Sequence, residues 1–464
     1  MTTTTETNRF RVFTRKNMDD IPQIRALPES ERVAMSAVSA VLPFRVNQYV
    51  VDELIKWSDV PNDPMFQLTF PQPEMLAPED VSRMTELVVT GASADVVKTA
   101  ARGIQRRLNP HPAGQKELNA PHLGEDVVPG VQHKYRETAL FFPSAGQTCH
   151  AYCTYCFRWA QFVGLDDLKF ASKEADTLVR YLKAHPEIRS VLVTGGDPMV
   201  MKTKVLRRFI EPLLDPKLSH IESIRFGSKA LAYWPFRFTT DDDADDLMRL
   251  FGEVREAGKH VAFMAHYSHP RELETTEAQA AVRRVLSAGA VIRCQAPLIR
   301  HVNDASEVWS RMWRMQTRLG MVPYYMFVER DTGAARYFEV PLSRAHRIFN
   351  DAYNRVSGLA RTVRGPSMSA TPGKVVIDGI TKINGEKVFA LRFLQGRDPD
   401  WVGKPFFAQF DDEATWLDDL EPAFGQTEFF FEAGMRKILR GAQGPRRGLH
   451  LLHSRNGRAA STGA

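Results

Sequence analysis

Cysteine is scarce in this chain, with four residues in 464, far too few to staple a secreted scaffold. A reduced, cytoplasmic protein is expected. Long apolar runs are missing too: no window approaches the roughly 18 uninterrupted apolar residues of a membrane span, and the Thr-rich start lacks the apolar core of a secretory leader. No membrane partner is expected. Neither sign of charge dominates, at a formal net +6, and the basic residues are scattered except at Arg436, Lys437, Arg440, Arg446, Arg447, Arg455 and Arg458, which gather among Gly and Ser. This end, over 441–464, reads as a solvated basic tail rather than a nucleic-acid arm. Low-complexity sequence is confined to the two ends. With 43% hydrophobic and 25% charged residues, the chain can bury a sizeable core in two or three units.

Three of the four cysteines, Cys149, Cys153 and Cys156, stand in Thr-Cys-His-Ala-Tyr-Cys-Thr-Tyr-Cys-Phe-Arg, directly after an apolar run. Three thiolates at this C-x-x-x-C-x-x-C spacing suit three irons of a [4Fe–4S] cube with the fourth iron left open, whereas an electron-transfer cluster uses four cysteines. An open iron binds a substrate or a cofactor. The alternative is a structural zinc site completed by His150, although such sites pair C-x-x-C with a distant second ligand pair. The remaining cysteine, Cys294, lies alone in a later apolar run.

Periodicity divides the chain into a helical region (1–125), an alternating βα region (126–384), a C-terminal extension (385–440) and the tail. In the first, Val33, Val38, Val41 and Leu42, then Val81, Met84, Leu87 and Val88, recur at helical spacing. From Ala139 the runs 139–143, 190–194, 223–226, 260–266, 291–297 and 323–328 read as strands separated by helical stretches. Near-continuous apolar strands joined by helices indicate an α/β fold with a parallel sheet buried on both faces, and six units indicate an open, partial barrel. The cysteines then lie past the C-terminal end of the first strand, where such folds collect ligands. In the extension, Lys387-Val-Phe-Ala-Leu-Arg-Phe-Leu reads as a strand.

The cysteine motif, followed by Val191-Leu-Val-Thr-Gly-Gly-Asp-Pro and the βα pattern, resembles the radical S-adenosylmethionine superfamily. Within it the chain is similar to the lysine 2,3-aminomutase family through Asn62-Asp-Pro, Ile224-Arg-Phe-Gly-Ser-Lys, His266-Tyr-Ser-His-Pro, Gln295-Ala-Pro-Leu-Ile-Arg-His-Val-Asn-Asp and Pro323-Tyr-Tyr, which occur in order between about 60 and 330. The resemblance implies a partial (β/α)6 barrel, a [4Fe–4S] cluster on the three cysteines and S-adenosylmethionine chelated to the open iron. It also implies a small, amino-acid-like substrate and a low-potential electron donor such as ferredoxin or flavodoxin. Gly195 and Gly196 are expected to let the backbone approach the methionyl group, with Asp197 facing its ammonium. Ser228, His266 and Gln295, at later strand ends, are candidate contacts to the sugar, adenine or carboxylate. Arg158 stands where the family binds the substrate carboxylate, a task suited to a bidentate guanidinium. Among Glu329, Arg330 and Asp331, the resemblance favours Asp331 for a distal ammonium of the substrate.

The likeness breaks at pyridoxal phosphate. The family holds that cofactor through a lysine just before Thr-Pro, and matching on Thr371-Pro372 puts Ala370 there. An alanine methyl has no amine to offer. Thr138 stands in place of the family's phosphate-binding arginine, and the acid expected upstream falls on Val363 or Arg364. Lys374 is the remaining amine in this stretch, either a substitute or a solvent-facing turn residue. The sequence is therefore expected to encode a radical enzyme of aminomutase lineage that works without pyridoxal phosphate. A true 2,3-aminomutase using Lys374 and a non-catalytic iron–sulfur or zinc protein are the alternatives, and the oligomeric state is open.

Overall fold

The computed structural model describes residues 10–115, 118–164 and 170–443. An eleven-stranded sheet organises them. Its strands in chain order are β1 (Val131–Tyr135), β2 (Thr138–Phe141), β3 (Ser190–Val193), β4 (Ser223–Ser228), β5 (His260–His266), β6 (Val291–Leu298), β7 (Val322–Val328), β8 (Arg364–Ser369), β9 (Gly373–Ile383), β10 (Glu386–Gly396) and β11 (Pro405–Gln409). They are hydrogen-bonded in that same order. Every pair from β2 to β8 is parallel, while the pairs at both edges are antiparallel.

Parallel neighbours need crossover helices, and each of the six connections supplies one: α1 (Asp176–Ala184), α2 (Thr203–Ile210), α3 (Ala244–Glu256), α4 (Thr276–Ser287), α5 (Ser306–Arg318) and α6 (Leu342–Asn354). The expected α/β partial barrel of six βα units is thus present, and its first and last strands are not bonded to each other. Three of these helices, α3, α4 and α5, end before Gly258, Gly289 and Gly320, all with φ near +80°. Glycine takes this left-handed turn without a Cβ penalty, which closes the helix and returns the chain to the sheet.

Along the strands, residues buried against the helices alternate with residues facing the barrel interior. In β4, Ile224 and Phe226 are buried away from the cavity while Arg225 and Gly227 line it, joined at the strand end by the buried Ser228. The helical N-terminal region, including Glu29–Val41, Pro78–Val89 and Ala94–Arg107, shares one continuous core with the barrel. Strands β8 to β11 carry a second core of Met368, Phe389, Phe393, Trp401, Phe406 and Phe431. The strand expected at Lys387 is β10, an added strand of the same sheet. Arg436 pairs with Glu428 in and beside the helix Glu432–Gln443, and the tail from 444 lies outside the described residues. No helix among the described residues is long and apolar enough to cross a membrane.

Candidate active site

Beyond Phe141 the chain leaves β2 and forms the cysteine loop, which is pinned from two sides. From the N-terminal region, Arg45 O accepts from Tyr152 N at 2.8 Å and Leu68 O from Thr154 N at 2.9 Å, while Asn47 Nδ2 donates to His150 O and to Tyr233 O. From the loop after β3, Asp197 N donates to Thr148 O at 2.7 Å and Gly196 N to Gly146 O at 3.1 Å. The glycines make this contact possible. A Cβ at Gly196 would meet the backbone of Thr148, and one at Gly195, whose φ is +145°, would meet the Gln147 side chain. Both glycines also line the interior cavity, but their bare Cα positions are required first by the cysteine loop.

Cys149, Cys153 and Cys156 are partly exposed, and all three line one cavity of about 340 Å³ that runs into the barrel. Burial pushes the three thiols up, Cys156 to about 12; negative charge at Asp197, Cys156 and Cys153 raises Cys149 further, and charge on Cys153 raises Cys156. Three ionised sulfurs together here need a multivalent cation. The Tyr233 hydroxyl lies 3.4 Å from Cys153 Sγ. His150, the fourth ligand of the zinc alternative, is buried beside Phe10, is pushed down to about 3 by burial, and has an unpartnered Nδ1. Among the described residues no three His, Cys, Asp or Glu side chains converge as ligands of a single ion would. A four-iron cube asks for something different, one thiolate on each of three irons.

Asp197 is buried and already occupied: Oδ1 accepts from Met199 N, and Oδ2 from Ser228 Oγ and Lys229 N, each at 2.9 Å. Burial nevertheless raises its carboxyl to about 6. Ser228 Oγ in turn accepts from Ala230 N, so Asp197 and Ser228 tie the loop after β3 to the end of β4. His266 Nε2 and Gln295 Nε2 are 3.0 Å apart, and burial holds His266 neutral, at about 3. The amide donating to Nε2 leaves the ring proton on Nδ1.

Arg158 lies over the Phe142 and Phe157 rings, at 4.4 and 5.1 Å. It lines the cavity, and burial lowers it to about 10. Arg330 covers the same Phe157 ring at 4.6 Å and has a buried, unpartnered Nη1. The acid beside them is Glu329, which lines the cavity and is raised by burial to about 8. Asp331 is exposed, accepts from Asn109 Nδ2 at 3.0 Å, and is not part of the cavity wall. A distal-ammonium role on this segment therefore has Glu329, not Asp331, facing the interior.

Ala370 is fully buried, and its carbonyl accepts from Lys134 Nζ at 2.5 Å. Lys374 does not face solvent. Its Nζ sits 4.0 Å from the Tyr325 ring centroid inside the cavity, and burial, followed by the charges of Arg364, Arg225 and Arg330, lowers it to about 7. Sequence reading missed Lys134 and Arg225 as cavity residues. The available signal was a basic residue at an inward position of an apolar strand, as in Ser-Ile-Arg-Phe-Gly-Ser.

The chain is 32% identical over 404 residues to a protein of Aquifex aeolicus named "Putative L-lysine 2,3-aminomutase", covering 87% of this chain and 94% of that one. The chain belongs to the lysine 2,3-aminomutase-like family of radical S-adenosylmethionine enzymes. The L-lysine 2,3-aminomutase of Acetoanaerobium sticklandii is 27% identical over 235 residues, 51% of this chain and 53% of its own length. A radical S-adenosylmethionine methyltransferase from Sphaerobacter thermophilus superposes with a TM-score of 0.37 at 16% identity, over 50% of this chain and 68% of its own, a likeness too loose to carry weight. No family model matches the chain.

This family implies a [4Fe–4S] cluster and S-adenosylmethionine, and the donor set fits them: three thiolates share one cavity mouth beside a loop whose glycines have no side chains. The position expected to hold pyridoxal phosphate does not fit it, because Ala370 is a buried methyl whose carbonyl is taken by Lys134.

Proposed function

We propose that Cys149, Cys153 and Cys156 hold the cluster and that the cavity beneath them takes a carboxylate-bearing, amino-acid-like substrate for hydrogen abstraction. The observation that carries this reading is the shared cavity, lined by the three cysteines, the Gly195–Gly196 loop and the half-buried Arg158. Held by Cys149, Cys153 and Cys156, the cluster would supply one-electron reductive cleavage of the carbon–sulfur bond of S-adenosylmethionine, the electron coming from a low-potential donor such as ferredoxin or flavodoxin and methionine leaving. Arg158, braced by Phe142 and Phe157 and without a carboxylate partner among the described residues, orients the substrate carboxylate bidentately toward the cysteine loop. The glycine loop gives the methionyl portion a backbone wall, Asp197 holds that loop to β4, and neutral His266 with Gln295 offers polar contacts to the nucleoside. Glu329 keeps its proton at neutral pH and acts as a hydrogen-bond donor rather than a charge.

In this reading the enzyme works without pyridoxal phosphate, since Ala370 and Thr138 replace the residues that would bind it. A second reading is favoured by one observation, the cavity-facing Lys374 held at about 7, because a partly deprotonated buried lysine is a competent nucleophile. Incubation with pyridoxal phosphate and borohydride, followed by peptide mapping, separates the two. The first reading expects no modified lysine. An adduct mapped to Lys374 would replace it with an aminomutase that has relocated its lysine.

A further inference from the structure

Below the cysteine end, the barrel interior gathers positive charge around two adjacent tyrosines. Neighbouring residues of a strand normally point to opposite faces, but β7 carries a bulge: Cys294 pairs with Pro323 and the next residue, Gln295, pairs with Tyr325. The bulge turns Tyr324 and Tyr325 both into the cavity. Arg364 of β8 lies over both rings, at 4.4 and 4.2 Å, Lys374 of β9 over Tyr325 at 4.0 Å, and Arg293 of β6 over Tyr324 at 5.2 Å. Arg225 of β4 joins Lys374 and the tyrosines in the cavity wall, and its Nε is buried without a partner.

Six cationic side chains line this cavity: Lys134, Arg158, Arg225, Lys229, Arg330 and Lys374. Of these, Lys229 alone forms an ion pair among the described residues, with Glu272 at 2.6 Å. The two acids in the wall, Asp197 and Glu329, follow the C-terminal ends of β3 and β7. Neither pairs with the cations around the tyrosines. Cation–π contacts offset only part of the solvation lost by a cation, and half-buried cations without counter-charge are costly. An arrangement of this kind is completed by an anion.

We propose that Arg225 and Lys374, set beside Tyr324 and Tyr325 in the cavity wall with Arg364 over the same rings, form an anion subsite, and that the substrate carries a second anionic group remote from the cysteine loop. That group is a phosphate ester or a second carboxylate. The inference rests on the reading that this cavity holds the substrate, and it narrows the substrate class. Arg225 lies three residues before Ser228, about 10 Å along the strand from its C-terminal end, so the subsite sits deeper in the barrel than the cysteine loop. Arg158 takes the carboxylate near the cysteines and the subsite takes the other end. Mutual repulsion with Arg364 and Arg225 contributes to the lowering of Lys374, and a bound anion reverses it.

The test is calorimetric titration of the reconstituted full-length protein with inorganic phosphate, glutarate and, as a single-charge control, butyrate. Phosphate or glutarate is expected to bind more tightly than butyrate, with an affinity that falls as salt rises. Arg225→Gln and Lys374→Gln are each expected to weaken it at least ten-fold, and Arg225→Lys to restore part of it. Binding of phosphate assigns a phosphate ester, and binding of glutarate a dicarboxylate. Two variants on different strands, each checked for folding by thermal melt, guard against loss of structure. The proposal is overturned if neither probe exceeds butyrate, or if both folded variants bind as the wild type does. Wild-type cleavage of S-adenosylmethionine reports separately: cleavage without probe binding removes the subsite alone, and probe binding without cleavage removes the enzymatic reading alone.

Discussion

Lys134 Nζ donates to the carbonyl oxygen of Ala370 at 2.5 Å, joining residues 236 positions apart. The contact bridges β1, at one edge of the sheet, to the turn between β8 and β9. Burial, with Arg397, Arg330 and Lys374 nearby, pushes this lysine well below its usual value. The position where the family's cofactor lysine is expected is thus closed by a methyl and a neighbour's amine.

The three-thiolate assignment makes a direct statement about iron. Alanine at Cys149, Cys153 or Cys156 should each abolish the cluster on anaerobic reconstitution, measured as iron and sulfide per chain with the visible absorption. Cys294→Ser should retain it, because Cys294 is buried with its sulfur 3.8 Å from Met321 Sδ. Iron held by a Cys153→Ala protein at wild-type level would refute the assignment.

Gly196→Ala tests the packing of the two loops. The added methyl meets the Thr148 backbone directly before Cys149, where no flexible side-chain end can yield. Iron incorporation should fall several-fold while far-UV circular dichroism keeps the barrel signature. Full iron content would mean that the glycine serves another purpose.

Asp197→Ala removes the acceptor for Met199 N, Ser228 Oγ and Lys229 N. Stranding buried donors costs about 1–3 kcal/mol each where water cannot replace the partner. A melting temperature lowered by several degrees, together with weaker binding of S-adenosylmethionine, is expected. Weaker binding with an unchanged melt would instead make Asp197 a direct ligand only.

Much of this site was legible in the sequence because local rules govern it. The cysteine spacing, the Gly-Gly-Asp turn after a strand, and apolar runs such as His260–His266 announce themselves within a dozen residues, and that last strand has the expected bounds. The residues that distinguish the cavity are of another kind. Lys134, Arg225, Tyr324 and Lys374 come from four strands, and a bulge with no sequence signature of its own turns Tyr324 inward. Asp331 and Glu329 differ by two positions, and which one faces the cavity depends on how β7 ends. The antiparallel edge from β8 onward was hidden because its pairing partners are set by the sheet already built.

Glu329 gives a pH test with a definite sign. Its carboxyl is raised by burial from 4.5 to about 8, so between those values the folded state holds a proton that the unfolded state has released. Stability from this group is complete below about 4.5 and is lost as pH rises toward 8, at up to about 1.4 kcal/mol per pH unit. Glu329→Gln should therefore flatten the fall in urea midpoint between pH 5 and pH 8 and be the more stable protein at pH 8. Parallel pH profiles for variant and wild type would show that Glu329 is not buried as described.

The most direct measurement of the central claim is anaerobic incubation of the reconstituted wild-type protein with dithionite and S-adenosylmethionine, with products quantified by mass spectrometry. The account predicts 5′-deoxyadenosine and methionine in equal amounts, dependent on all three loop cysteines. Zinc in place of iron and sulfide, or an intact cluster that leaves S-adenosylmethionine uncleaved, would contradict it.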